Sequence, residues 1–162
     1  MTNKIEIRLV KKEDNVALAK VIRNVLTEFG ANIKGTAFYD TETDAMSEAY
    51  LSEKAVYYVA LVDGKLVGGG GISPIKNDDT DTCELVKMYL SPDARGLQIG
   101  KTIILKCLSF AKEVGYKNCY LETFPSMTRA IAFYKKNEFK ILDKPMSQSC
   151  HYSCSVWMLK AL

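Results

Sequence analysis

The segment Glu84–Lys101, ELVKMYLSPDARGLQIGK, constrains this chain more than any other. An apolar run with strand character closes near Leu90, and a short polar turn with Pro92 and Asp93 follows. Arg95-Gly96-Leu97-Gln98-Ile99-Gly100 then leads into a helical pattern. Strand, glycine-bearing turn and helix in that order build a site for an anion. The free N–H groups of the first helical turn and the positive end of the helix dipole point at the same place. Glycine lets a phosphate approach the backbone with no Cβ in the way. Taken alone, so short a pattern is equally well a tight turn with a helix cap.

The flanks supply the rest of the fold. Ile5, Ile7 and Leu9 alternate with Glu6 and Arg8, which predicts a half-buried first strand. Asp14 is placed to cap a helix whose apolar face is Leu18, Ile22, Val25 and Phe29, with Gly30 as its stop. Residues 31–42 read as a loop, and Thr43 or Asp44 begins a second short helix through Met46, Ala49, Tyr50 and Leu51. Ala55 to Val62 is nearly all apolar, as in a strand covered on both faces. Asp63-Gly64 predicts a two-residue hairpin into a return strand, Lys65 to Ile72. That strand carries Gly68-Gly69-Gly70-Gly71, which fits either a bulge beside a bound substrate or a twisted hairpin packed tightly on a helix. Pro74 to Thr82 reads as an exposed loop, and Cys83 to Leu90 as the central strand.

Beyond the turn, Ile99, Ile103, Cys107, Ala111 and Val114 share one helical face, ended by Gly115. Cys119–Phe124 predicts a strand. Ser126 opens a helix bearing Met127, Ala130, Ile131 and Tyr134 that ends near Asn137. Strands at Phe139–Leu142 and Tyr152–Leu159 complete a β-α-α-β-β-β-α-β-α-β-β order.

With 162 residues, a single domain over 1–162 is expected. A chain 48% hydrophobic and 25% charged can bury a sizeable core. A net charge of +3 argues against nucleic acid as a partner recognised by a broad basic face. Residues 1–15 lack the apolar core of a signal peptide, and no run approaches the ~20 apolar residues that span a bilayer, so no membrane association is expected. The five cysteines, Cys83, Cys107, Cys119, Cys150 and Cys154, form an odd set with no CxxC, as for reduced thiols in a cytoplasmic protein. One histidine and scattered cysteines argue against a structural zinc site.

Two motifs carry a family resemblance. The Arg95–Gly100 turn resembles the acetyl-CoA-binding motif of the GCN5-related N-acetyltransferase (GNAT) family, with Arg95 and Gly100 at its ends and Gln98 where a glycine is usual. Ala130-Ile131-Ala132-Phe133-Tyr134, followed by Glu138-Phe139, resembles a second family segment that ends in Gly-Phe. Glu138 stands in the glycine's place, and Asn137 is expected to take the left-handed turn instead. Met127 stands where the family often has a CoA-binding Asn.

The resemblance covers nearly the whole chain in element order. It implies an α/β (α+β) fold: a mixed, mostly antiparallel sheet with helices on both faces and a splayed strand pair. It further implies acetyl-CoA as cosubstrate, with no metal. The backbone of Met88, Tyr89 and Leu90 would pair with the pantetheine arm. Arg95, Gly96, Gln98, Ile99, Gly100 and Lys101 would surround the pyrophosphate. The helix–loop–helix after the first strand would form one wall of the acceptor site, with Phe38, Tyr39 and Asp40 as candidate contacts.

Acetyl transfer to an amine needs removal of the amine proton, a donor to the oxyanion and a proton source for the leaving thiolate. Tyr134 has the family position for the thiolate acid, and an ordinary pKa of ~10 keeps it protonated. Glu84 is the candidate base, four residues before Met88 and, by two-residue counting, on the same face. It serves equally as a carboxylate that orients a cationic substrate. Glu122 is a weaker alternative, and His151, the only histidine, is expected in a surface or end-of-strand role rather than as general base.

The reading is an N-acetyltransferase acting by direct transfer in a ternary complex. The acceptor is a small-molecule amine, or a protein lysine or N-terminus, and a homodimer stays open. The alternative is a non-catalytic acyl-CoA sensor of the same fold. An unrelated nucleotide-binding protein is disfavoured, because Gly100-Lys101-Thr102 has the ending of a P-loop but Arg95 stands where that motif's first glycine belongs.

Overall fold

The computed structural model describes residues 2–148 and 151–162. Seven strands form one sheet in the order β1-β2-β3-β4-β5-β7-β6. They are β1 Ile5–Leu9, β2 Val56–Val62, β3 Lys65–Pro74, β4 Thr82–Leu90, β5 Asn118–Thr123, β6 Lys140–Leu142 and β7 Val156–Ala161. The helices are α1 Asn15–Glu28, α2 Met46–Ala49, α3 Ile99–Glu113 and α4 Thr128–Lys136. β4 and β5 pair in parallel, and the other neighbours pair antiparallel. The element order and the mixed sheet match the expectation. No helix among the described residues is long and apolar enough to cross a membrane.

Each face of the sheet has its own core. Leu18, Ile22, Val25 and Leu26 of α1 pack with Met46, Tyr50, Tyr57 and Val59 on one face. Ile99, Ile103, Cys107 and Ala111 of α3 pack with Val56, Ala60, Ile72, Leu85 and Tyr134 on the other. Asp63 and Gly64 both have positive φ, 50° and 81°, as the two-residue hairpin requires.

The glycine run of β3 packs closely under a helix and lies opposite a bulge. The β3–β4 register slips between Gly69 and Gly71, which marks a bulge. A Cβ on Gly70 would come within 2.4 Å of Met88 Sδ and 3.0 Å of Ile103 Cγ2, so the missing side chain also lets α3 lie close to the sheet.

Opposite that run, β4 carries one extra residue: Gly71 faces Val86 while Gly69 faces Tyr89. Lys87 absorbs the irregularity with φ 47°, and its carbonyl accepts a hydrogen bond from Tyr57 Oη at 2.7 Å.

Several local expectations are corrected. β1 lies at a sheet edge, so Ile5 and Leu9 are exposed rather than half-buried. Asp14 does not cap α1. Its carboxylate accepts from the Lys11 amide at 2.7 Å and pairs with Arg8 at 2.7 and 3.0 Å. Ser126 does not cap α4 but donates to the Phe29 carbonyl at 2.8 Å, tying the start of α4 to the end of α1. Glu138, not Asn137, takes the left-handed turn, with φ 69°. Asn137 donates its side-chain amide to the Phe133 carbonyl instead. The last strand begins at Val156, not Tyr152, because Ser153 is bound to the loop after α1 through the Gly35 and Lys34 carbonyls.

Candidate active site

β4 and β5 pair from Thr82↔Asn118 to Leu85↔Leu121 and then diverge. From Val86 onward no strand among the described residues pairs with β4 on its β5 side, so its main-chain groups line an open slot. A cavity of about 650 Å³ runs from this slot to the N-terminus of α3. Met88–Leu90, Arg95, Gly96 and Gln98–Lys101 all line it, together with Tyr134, Met127 and Phe29.

The α3 end suits an anion. Gln98 precedes the helix in the left-handed region, φ 62°, with no side-chain cap on the first turn. The first helical bond runs from Thr102 N to the Gln98 carbonyl. The amides of Ile99, Gly100 and Lys101 therefore lack partners within the helix. Gly96 needs its glycine for conformation, φ 80°, and has open space around it. Gly100 does not: a Cβ there would make only ordinary contacts with Met88 and Leu90, at 3.4 and 3.5 Å. Its bareness widens the mouth of the cavity rather than relieving a clash.

Arg95 lines the cavity, but its guanidinium is engaged elsewhere. It grips Glu28 at 2.6 and 2.8 Å, donates to the Leu90 carbonyl and lies 5.4 Å from the Phe29 ring centroid. Met127 supplies no polar group to the cavity, and its sulfur accepts from Thr123 Oγ1 at 3.6 Å. Tyr134 is buried on the α3 side, edge-on to Phe133 and Phe139 with centroids 5.9 and 5.8 Å away. Burial raises its pKa further, so the phenol keeps its proton.

Glu84 does not share a face with Met88. The extra residue in β4 breaks the two-residue alternation between them. Met88 packs on the α3 side against Gly70 and Gly100, whereas Val86 and Tyr89 pack with the α1-side core. The Glu84 carboxylate has Glu122, His151, Lys76 and Lys87 as its charged surroundings, and it does not line the cavity. Burial, then the nearby Glu122 charge, pushes Glu84 up to about 7. Its cross-strand partner Tyr120 uses its hydroxyl to accept from the Met146 amide at 3.2 Å.

The same bulge turns Lys87 inward, where it is buried between Asp40 and Glu42. Its Nζ lies 3.1 Å from Asp40 Oδ2 and also bonds Glu42 Oε1. His151 Nε2 lies 2.7 Å from the same Asp40 oxygen. Burial opposes ionisation of Asp40, but His151 and Lys87 outweigh it and hold the carboxyl at about 2. Of the other loop candidates, Phe38 takes a hydrogen bond from Arg23 to its carbonyl, and Tyr39 is exposed. His151 therefore fastens a loop rather than sitting idle at the surface. The sequence hinted at Lys87 only as a basic residue inside an apolar strand.

Cys83, Cys107, Cys119 and Cys154 are free thiols, and Cys150 lies outside the described residues. Burial pushes Cys107 and Cys154 up to about 12. Hydrogen bonding with Cys83, then burial, raises Cys119. These shifts keep Cys107, Cys119 and Cys154 as thiols at neutral pH.

Comparison with known proteins bears on this geometry. Residues 21–139 match the model of the acetyltransferase (GNAT) family. The chain is 38% identical over 156 residues to YjgM, an uncharacterised N-acetyltransferase of Escherichia coli K12, covering 96% of this chain and 93% of that one. It is 28% identical over 152 residues to a spermidine N(1)-acetyltransferase of Thermoplasma acidophilum, covering 86% and 90%. The PaiA N-acetyltransferase of Thermoplasma acidophilum, crystallised with coenzyme A, superposes with a TM-score of 0.72 at 25% identity over 98% of this chain and 99% of that one.

Proposed function

The chain belongs to the GNAT acetyltransferase family, and on that premise we propose that residues 1–162 form one N-acetyltransferase domain of the cytoplasm that acetylates a primary amine directly, in a ternary complex. Acetyl-CoA is the cosubstrate and supplies the acetyl group as a thioester. The observation that carries the reading is the cavity of about 650 Å³ joining the α3 amides, the unpaired edge of β4 and Tyr134.

The α3 amides and the glycine-bearing turn hold the pyrophosphate, and the β4 edge from Met88 to Leu90 holds the pantetheine arm. The acceptor enters from the opposite face, between β4, β5 and the loop carrying Asp40. Glu84 takes the proton from the ammonium through water. The freed amine nitrogen forms a bond to the thioester carbon, and the carbon–sulfur bond breaks. Tyr134 gives its proton to the departing thiolate, and the second proton, shed by the acylated nitrogen, restores the phenol. Raised to about 7, Glu84 is matched to proton transfer near neutral pH.

Calorimetric titration with acetyl-CoA, CoA and ATP tests the cofactor assignment, and thiol release over an amine panel tests turnover. Saturable binding of acetyl-CoA and CoA but not ATP, with thiol release for at least one amine, is the expected result. Binding with no turnover on any amine would favour a sensor. Absence of acetyl-CoA binding would overturn the assignment.

A further inference from the structure

β1 is an edge strand, and among the described residues no strand pairs with its outer side. The Lys4 carbonyl accepts from the Asp63 amide at 2.8 Å, and the Val10 amide donates to the Tyr57 carbonyl at 3.0 Å. Bonding alternates along an antiparallel strand, so Glu6 and Arg8 bond inward to β2 while Ile5, Ile7 and Leu9 turn N–H and C=O outward. The Leu9 carbonyl accepts from Arg8 Nη1 at 3.1 Å and keeps a second lone pair. An open edge of this kind is a template for another strand.

The other edge is guarded: β6 is only three residues long, and pairing with itself about Ile141 would set Lys140 against Leu142. β1 is not guarded, with Ile5 and Leu9 42% and 57% exposed. Its sequence, IEIRL, is its own complement when run antiparallel. Centred on Ile7, Ile5 falls opposite the partner's Leu9 and Glu6 opposite the partner's Arg8. The hydrogen bonding agrees with that centre. Ile5, Ile7 and Leu9, whose groups point outward, become the hydrogen-bonded pairs. Glu6 and Arg8 become the pairs whose side chains stand closest. Arg8 is already held by Asp14, and Glu6 lies 3.5 Å from Arg8 Nε, so charges would alternate in sign along and across the two strands. Other centres fail. Pairing about Glu6 sets that carboxylate against its own copy and Arg8 against Lys4, and pairing about Arg8 sets two guanidinium groups together.

We propose that two copies of the chain form a symmetric dimer by antiparallel pairing of β1 about Ile7, joining the two sheets edge to edge. β4 lies three strands from β1, so each copy keeps a complete cavity. The pairing is independent of the chemistry at that cavity.

Sedimentation equilibrium over a range of concentrations should show a species of twice the 18.1 kDa chain mass. Two double variants then separate this register from a contact made by apolar area alone. Ile5→Lys with Leu9→Glu sets opposite charges against each other across the axis, and Ile5→Lys with Leu9→Lys sets like charges there. Both lose the same two apolar side chains, yet the first should dimerise at least about tenfold more tightly than the second. Thermal melts check that both are folded. Amide hydrogen exchange of the wild type gives a reading that needs no variant: the Ile5, Ile7 and Leu9 amides should exchange more slowly in concentrated than in dilute solution. A wild type monomeric at every concentration, equal association of the two folded variants, or exchange at these amides that ignores concentration would overturn the proposal.

Discussion

Lys87 Nζ lies 3.1 Å from Asp40 Oδ2, joining the middle of the sheet to the loop after α1. The pair is nearly closed to solvent at the lysine and fixes where that loop meets β4. Removing one partner of such a pair leaves the other buried and unanswered. Lys87→Met should therefore cost roughly 3 kcal/mol of stability and raise the acceptor KM, with acetyl-CoA affinity little changed. Urea denaturation and calorimetry read the two effects separately. Loss of acetyl-CoA binding in a folded variant would contradict this division between the two faces.

Asp40 gives a signature at low pH. Its folded pKa of about 2 lies below the ordinary carboxylate value, so its contribution is full above about pH 4 and is lost as pH falls through 2. Allowing for solvent screening, the contribution is at most about 2 kcal/mol. The stability difference between wild type and Asp40→Asn should shrink between pH 4 and pH 2, which urea melts across that range would show.

Glu84 has the opposite sign. Its folded pKa of about 7 is raised, so its contribution is full below about pH 4 and is lost as pH rises through 7. Relative to Glu84→Gln, the wild type should lose about 3 kcal/mol between pH 4 and pH 8. If Glu84 is the base, kcat/KM should also rise with pH to a plateau above about 7 in the wild type, and Glu84→Gln should lack that acidic limb. A pH–rate profile unchanged by the substitution would remove Glu84 from the mechanism.

Tyr134→Phe keeps the ring between Phe133 and Phe139 and removes only the proton source. A fall of about 10²-fold in kcat with unchanged acetyl-CoA affinity is expected. An unchanged kcat in pre-steady-state and steady-state assays would mean that the thiolate leaves without this acid.

Gln98 occupies a left-handed position where side chains are strained. Gln98→Gly should raise stability by about 1 kcal/mol while leaving acetyl-CoA affinity intact, because the backbone N–H groups are unaltered. Gly100→Glu should fold and lose that affinity, since its carboxylate would meet the phosphate at the α3 amides. Thermal melts and titrations of both variants check this.

The elements were readable in the sequence because apolar periodicity and turn residues mark them directly: α1 by Leu18, Ile22 and Val25, the hairpin by Asp63-Gly64. The cavity wall was readable because its residues are close in sequence, from Met88 to Lys101. What escaped reading depends on long-range contact. Arg95 meets Glu28 from 67 residues away, and His151 meets Asp40 across 111. The β4 bulge escaped for a different reason. Lys87 is neither glycine nor asparagine, and its left-handed backbone is held by Tyr57 and two carboxylates rather than by any local preference. That one residue moved Glu84 to the face opposite Met88.

The extra residue in β4 also bears on how such a protein can change over time. Because it turns successive parts of one strand to different faces, the surfaces proposed for donor and acceptor draw on almost separate sets of side chains. Substitutions around Asp40, Glu42 and Glu122 are then free to drift toward new amines while the α3 turn stays as it is. Deleting one residue between Val86 and Met88 would do the reverse. It would restore strict alternation, place Glu84 and Met88 on a common face, and make every change for one substrate a change for the other.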